Sequence, residues 1–157
     1  STTGNIFIVD SDSSIIWSNL TAIGVNITGG NTTNDFEDID TAMNMTNLTD
    51  SINRTYTFGY KPKNVQEVIT FSMTINTTPI VNSTNTSDFI TGILWDMSDT
   101  NPNQYNGSQD LIFATQIKRN SQGRYGLYDF EMKVPARLRE YIKPNYQNSV
   151  TFYVELK

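Results

Sequence analysis

Short runs of β-branched, aromatic and alternating apolar residues, separated by turn signals, constrain the fold of this 157-residue chain more than any other feature. Such runs, bounded by Gly, Asn, Asp and Ser, are typical of strands. The predicted strands cover residues 5–9, 14–20, 22–28, 54–60, 65–76, 89–97, 110–118, 124–133 and 149–156. Because these runs are short and recur throughout the chain, they predict an all-β fold: an Ig-like or jelly-roll β-sandwich of about eight or nine strands.

One or two short helices are expected beside the strands. Residues 34–48 carry Phe36, Ile39 and Met43 at helical spacing, with acidic residues near the start, where the helix dipole favours them. Residues 135–142 begin with proline at a position that suits a first helical turn. The sequence therefore predicts a sandwich with minor helical additions.

The chain shows no composition break that would divide it into two large domains. Its length suits one domain with a sizeable core. Residues 76–87, rich in Asn, Thr and Ser, are predicted to form an exposed loop. We assign residues 1–13 to an N-terminal strand and extension, and residues 14–157 to a glycosylated β-sandwich domain.

Asn-x-Ser/Thr sequons are unusually dense in the first two thirds of the chain. Random placement of this composition would give about four sequons, and the chain has ten. Each is a potential N-glycan acceptor, because transfer needs the hydroxyl group two residues on. The acceptors are Asn19, Asn26, Asn31, Asn44, Asn47, Asn53, Asn76, Asn82, Asn85 and Asn106. The pattern predicts an extracellular or cell-surface glycoprotein whose last third is free of sugar.

The absence of two residue types narrows the possible chemistry. The chain contains no Cys and no His, which excludes Ser-His and Cys-His nucleophilic catalysis and most zinc sites. No phosphate loop or dinucleotide fingerprint occurs, and nothing marks a carboxylate pair for glycoside hydrolysis. We therefore expect a protein that is not an enzyme, with no small-molecule substrate and no cofactor other than N-linked glycans.

Three acidic clusters offer oxygen ligands that suit calcium. One is Asp10, Asp12 and Ser13; the second is Asn34, Asp35, Glu37, Asp38 and Asp40; the third is Asp96, Asp99, Asn101, Asn103 and Asp110. The third departs from a calcium loop, because Gln104 stands where that loop needs glycine. Turn and helix-cap roles are the simpler interpretation of all three, so no metal site is predicted.

Charge is divided unevenly along the chain. Residues 1–53 contain seven acidic residues and no basic residue, whereas residues 54–157 contain nine acidic and eleven basic residues. This polarity favours head-to-tail contact between copies, although scattered surface charge explains it equally well. A sequence pI near 4.5 argues against nucleic acid as a partner. No apolar run is long enough to span a membrane.

The first predicted strand is the strongest candidate for a functional segment. It comprises Asn5, Ile6, Phe7, Ile8 and Val9, and alternation places apolar residues on both of its faces. Such a strand must be buried on both sides. It is either the first strand of its own sandwich or a donor strand that completes the sheet of a neighbouring copy. Because donor-strand contact is heterologous, it repeats without closing and builds a filament.

The ten sequons, the missing cysteine and the strand at residues 5–9 resemble the sequon-dense, cysteine-free surface proteins of thermophilic archaea. Within that group the chain is similar to the subunits of β-rich filaments, the threads and bundling pili. The resemblance implies a pilus-like homopolymer joined by donor strands, with roles in adhesion or biofilm.

Two other classes of function remain open from the sequence. One is a soluble sandwich that anchors to a surface layer or binds glycan, which would form a defined small oligomer. The other is a jelly-roll viral capsid protein, which would form closed shells.

Overall fold

The computed structural model describes residues 3–9, 15–24, 35–58, 61–70, 73–84, 87–96, 110–135 and 151–157. Its strands are β1 (Gly4–Val9), β2 (Leu20–Ala22), β3 (Thr57–Phe58), β4 (Lys61–Pro62), β5 (Val65–Thr70), β6 (Met73–Asn82), β7 (Ile90–Asp96), β8 (Asp110–Gln116), β9 (Ser121–Gln122), β10 (Leu127–Tyr128) and β11 (Thr151–Leu156). Two short helices, α1 (Asp35–Ala42) and α2 (Ile52–Tyr56), and a 3-10 turn at Trp17–Asn19 accompany them.

One antiparallel sheet organises the molecule. Its strands follow the order β11-β1-β8-β7-β6-β5, and β2 pairs with β7 where β6 leaves that strand. Two-stranded ribbons, β3–β4 and β9–β10, lie outside it. Strands dominate and the helices are short, so the predicted all-β, sandwich-like class is confirmed.

Strand β6 turns the sheet over on itself. Its last residues pair with β7, whereas its earlier residues pair with β5. A register shift places one extra residue on β6 opposite Glu67, and Thr77 there has a φ of 59°. Because a bulge bends its strand, the β5–β6 arm folds across the sheet as a second layer. Gly92 on β7 permits the close approach, since a Cβ there would lie 3.0 Å from Thr78 Cγ2.

The two faces of the sheet bury different clusters. On one face, residues of α1, α2 and the segment between them pack on the sheet; this cluster contains Ile8, Ile23, Phe36, Ile39, Met43, Met45, Ile52, Tyr56, Ile93, Trp95, Leu111 and Phe113. On the other face, the arm contributes Ile75 to a cluster with Phe7, Val9, Leu20, Ala22, Leu94, Ile112 and Ala114. The central strands are therefore apolar on both faces, which explains the continuous apolar runs of β1, β7 and β8.

Several predicted element bounds were wrong. Residues 15–19 of the predicted strand 14–20 form coil and the 3-10 turn, and most of residues 54–60 belong to α2 and β3. An N-cap decides the second case: Ser51 Oγ accepts a hydrogen bond from Arg54 N, so a helix begins where alternation predicts a strand.

Other bounds moved because alternation does not reveal a turn within an apolar run. The predicted strand 65–76 is a hairpin in which Thr70 pairs with Met73, and β6 extends into the predicted loop 76–87 as far as Asn82. The predicted strand 124–133 contains only the short β10. The helix predicted at 34–48 ends at Ala42. The second predicted helix, 135–142, lies outside the described residues except for its first residue. Among the described helices, none has the length and apolar character that crossing a membrane requires.

Candidate assembly interface

Strand β1 lies between β8 and β11 and pairs antiparallel with both. All six of its residues are buried. Its partners come from distant parts of the sequence, whereas the next strand, β2, pairs with β7. Strand β1 therefore fills a slot whose walls are β8 and β11.

The side chains of β1 alternate as the sequence predicts. Ile8 belongs to the cluster beneath the helices, and Phe7 and Val9 belong to the cluster beneath the β5–β6 arm. The ring centroid of Phe7 lies 5.0 Å from that of Trp17, which in turn lies 5.0 Å from the ring of Tyr153 on β11. The prediction that this strand is buried on both faces is confirmed.

Asn5 is the polar residue of β1, and its amide ties three strands together. Asn5 Nδ2 donates to Glu155 Oε2 over 2.6 Å and to the carbonyl of Ile69 over 2.9 Å. Lys157 Nζ also donates to the Ile69 carbonyl and lies 3.5 Å from Glu155 Oε1. These bonds join β1 and β11 to the edge of β5. They also supply the hydrogen-bond partners that the buried side chains of Asn5 and Glu155 need.

A cleft of about 390 Å³ opens beside this polar cluster, between the β5–β6 arm and the sheet. Asn5, Val68, Gly92, Thr115 and Lys157 contribute to its walls. The lining combines hydroxyl, amide and apolar groups with the carboxylate of Glu67 and the ammonium group of Lys157. Among the described ranges, no three His, Cys, Asp or Glu side chains come together as a metal site would need.

Strand β11 forms one edge of the sheet. Side chains on its two faces differ: Tyr153 is half-buried and Glu155 is buried, whereas Phe152, Val154 and Leu156 are 58%, 58% and 64% exposed. We call these last three residues the β11 ridge. In the described part of the chain, β1 is the only strand paired with β11.

Five of the six sequon asparagines that the structure describes are exposed. Asn19, Asn44, Asn47, Asn76 and Asn82 are exposed; Asn26, Asn31, Asn85 and Asn106 lie outside the described residues. Asn53 is half-buried and its Oδ1 accepts a hydrogen bond from Thr57 Oγ1 over 2.6 Å. None of the six described acceptors is on β1, β8 or β11, so glycans at these positions would not be attached to the strands that form the slot.

Two described acids of the second cluster, Asp35 and Asp40, accept hydrogen bonds from the backbone. Asp35 Oδ2 accepts from Gly24 N, and the two carboxylate oxygens of Asp40 accept from Ile52 N and Asn53 N at the start of α2. Burial raises the pKa of Asp40 above its ordinary value, although these hydrogen bonds oppose the shift.

In the third cluster, Asp96 and Asp110 are buried and face each other across β7 and β8. Asp96 Oδ2 accepts a hydrogen bond from Ile16 N over 2.7 Å. The remaining members of that cluster, together with Asp10, Asp12, Ser13 and Asn34, lie outside the described residues.

Sequence reasoning did not identify the β11 ridge or the bond between Asn5 and Glu155. The alternation of residues 152–156 marks one apolar face, but a sequence does not reveal which face stays uncovered. The donor role of Asn5, Ile6, Phe7, Ile8 and Val9 remains a prediction, because these residues fill the slot of their own chain here. No family model, curated protein or solved structure matches the chain.

Proposed function

We propose that the protein is the structural subunit of an extracellular glycosylated filament, assembled head-to-tail by exchange of β1. In the filament, β1 of one copy fills the slot between β8 and β11 of the next copy. The observation that carries this proposal is the placement of β1: it is buried on both faces, and both of its strand partners lie more than a hundred residues away in the chain.

Exchange of β1 between copies preserves its native contacts. The same backbone pairs form with β8 and β11, and the same apolar side chains are buried, whichever copy supplies the strand. Self-insertion and exchange therefore differ mainly in the path of the segment that follows β1 and in the entropy of association, as in domain swapping. A high local concentration of the protein then favours the strand-exchanged polymer over the self-inserted monomer.

The surface chemistry supports a role outside the cell. Five of the six described sequon asparagines are exposed, and the strands that form the slot carry none. Because a glycan attached to a slot strand would block strand insertion, this separation suits a subunit that is glycosylated and polymerises. Adhesion or biofilm formation follows as the proposed role of such a filament.

Paired cysteines distinguish exchange from self-insertion. Ile8 and Phe152 face each other across β1 and β11. Facing residues in antiparallel strands lie close enough for a disulfide. In the Ile8→Cys, Phe152→Cys variant, exchange links successive copies, so the oxidised polymer should run as a ladder of multimers on a non-reducing denaturing gel. The chain has no native cysteine to interfere.

The single variants Ile8→Cys and Phe152→Cys are the controls, and neither should produce a ladder. Electron microscopy of the same samples shows whether filaments are present before oxidation. A double variant that forms filaments but runs only as an internally linked monomer would refute strand exchange. A wild-type protein that stays as single particles at every concentration would refute the filament.

A further inference from the structure

We propose that the outer edge of β11 is a docking site for a second copy of this chain. The two β11 strands would pair antiparallel about a two-fold axis at Val154 and join two sheets into one. This contact does not depend on strand exchange, because β1 occupies the opposite edge of β11. It is also isologous, so it stops at two copies.

The two edges of the main sheet differ in how well they are protected against pairing with a further strand. At the β5 end, Asn5 and Lys157 donate to the Ile69 carbonyl, exposed Glu67 interrupts the apolar side chains, and a bulge disturbs the register. These features discourage further pairing. The β11 ridge has no charged member, and β11 has no bulge, proline or sequon. A sheet edge that lacks these protective features and carries apolar side chains is a template for strand addition.

The hydrogen-bond phase of β11 places the ridge residues at this edge. Thr3 and Lys157 exchange both of their backbone bonds, so they form a hydrogen-bonded pair of the β1–β11 ladder. Such pairs alternate along antiparallel strands. Glu155, Tyr153 and Thr151 therefore direct their backbone groups toward β1. The N–H and C=O groups of Phe152, Val154 and Leu156 point away from it.

The sequence of β11 is complementary to itself in one antiparallel register. With Val154 opposite Val154 of the second copy, Phe152 faces Leu156 and Leu156 faces Phe152. Each of these three facing pairs has outward backbone groups on both strands, so up to six hydrogen bonds form. Apolar side chains then meet on the ridge face, where facing pairs stabilise a sheet. A contact of one short strand is small, so we expect a weak dimer.

A single cysteine at the two-fold axis tests the register. In Val154→Cys the two thiols face each other, so oxidation should trap a disulfide-linked dimer that goes no further than two chains. In the matched variant Leu156→Cys the two thiols are offset by four residues, about 13 Å along the strands, which is too far for a disulfide. Equal cross-linking of both variants, or none in Val154→Cys, would overturn the proposal. The second result would also indicate that another segment covers the edge.

A charge at the same position tests the free energy of association by sedimentation equilibrium. Val154→Lys places two ammonium groups opposite each other and should raise the dimer dissociation constant at least roughly tenfold. Leu127→Lys is the control, because Leu127 on β10 has the same 64% exposure as Leu156 but lies outside the main sheet; its constant should stay within about twofold of wild type. Equal effects of both lysines would overturn the inference. A rise in the dissociation constant that is limited to Val154→Lys supports the β11 contact even where no filament forms.

Discussion

Replacing Phe7 by alanine measures how much the chain depends on β1 filling its slot. Phe7 has no exposed surface and lies in the cluster beneath the β5–β6 arm, with Ile112 and Ala114 of β8 among its members. Truncating a buried Phe to Ala removes transfer free energy and leaves a cavity, which costs about 3–5 kcal/mol. Loss of the ring contact with Trp17 adds about 0.5–1.5 kcal/mol.

We therefore expect Phe7→Ala to lower the free energy of unfolding by about 5 kcal/mol. Domains of this size are stable by only about 5–15 kcal/mol, so the variant should lose a large share of its stability. Urea unfolding followed by tryptophan fluorescence is the assay, because Trp17 lies against Phe7 and Trp95 is buried on the other face.

Phe152→Ala is the matched control. It removes the same side chain from the strand paired with β1, at a position that is 58% exposed, so the expected loss is below about 1 kcal/mol. In an exchanged filament, Phe7 of a neighbour fills the same pocket, and its truncation should dissociate the filament at lower urea. Equal losses for the two variants would refute the placement of β1 as a central, doubly buried strand.

Three further predictions concern buried polar groups and sequons. Burial raises the pKa of Asp40, so the native state binds the Asp40 proton more readily than the unfolded state does. The stability that this proton confers is complete below about pH 3.8 and is lost as pH rises through the raised pKa. Urea midpoints measured across this range should show that trend in wild type and a flatter one in Asp40→Asn. Among the described residues, none bonds to the buried hydroxyl of Tyr56, so Tyr56→Phe should raise the unfolding free energy by about 1 kcal/mol, and a loss of that size would contradict this reasoning. Thr78 Oγ1 is buried and bonded to a backbone carbonyl, whereas Thr49 is exposed, so a transferase acting on folded protein should modify Asn47 and not Asn76, as mass spectrometry of site occupancy would show.

Local patterns in the sequence predicted the strand content and the most deeply buried strands. Strands β1, β7 and β8 lie close to their predicted bounds, because each is a short apolar run that has no stable place except between two covered faces. The alternation of Phe7 and Ile8 between opposite faces follows from the two-residue period of any strand. The surface position of five sequon asparagines agrees with their polar surroundings.

Long-range contacts decided the remaining features. The start of α2 depends on Asp40, whose carboxylate accepts from Ile52 N and Asn53 N across a turn, and no local pattern in residues 54–60 encodes that bond. The pairing of Thr70 with Met73 divides residues 65–76 into the two strands of the β5–β6 arm, and alternation continues through both of them. Periodicity describes a strand but not its partners.

The candidate assembly interface shows the same division. Alternation alone identified β1 as a strand that needs cover on both faces, and the sequons indicated a sugar-free last third. Only the tertiary structure determined that β8 and β11 form the slot and that Phe152, Val154 and Leu156 stay exposed at the edge. The physical reason is that burial and backbone pairing belong to the whole sheet: the same apolar side chain is core or surface according to which strands lie beside and above it.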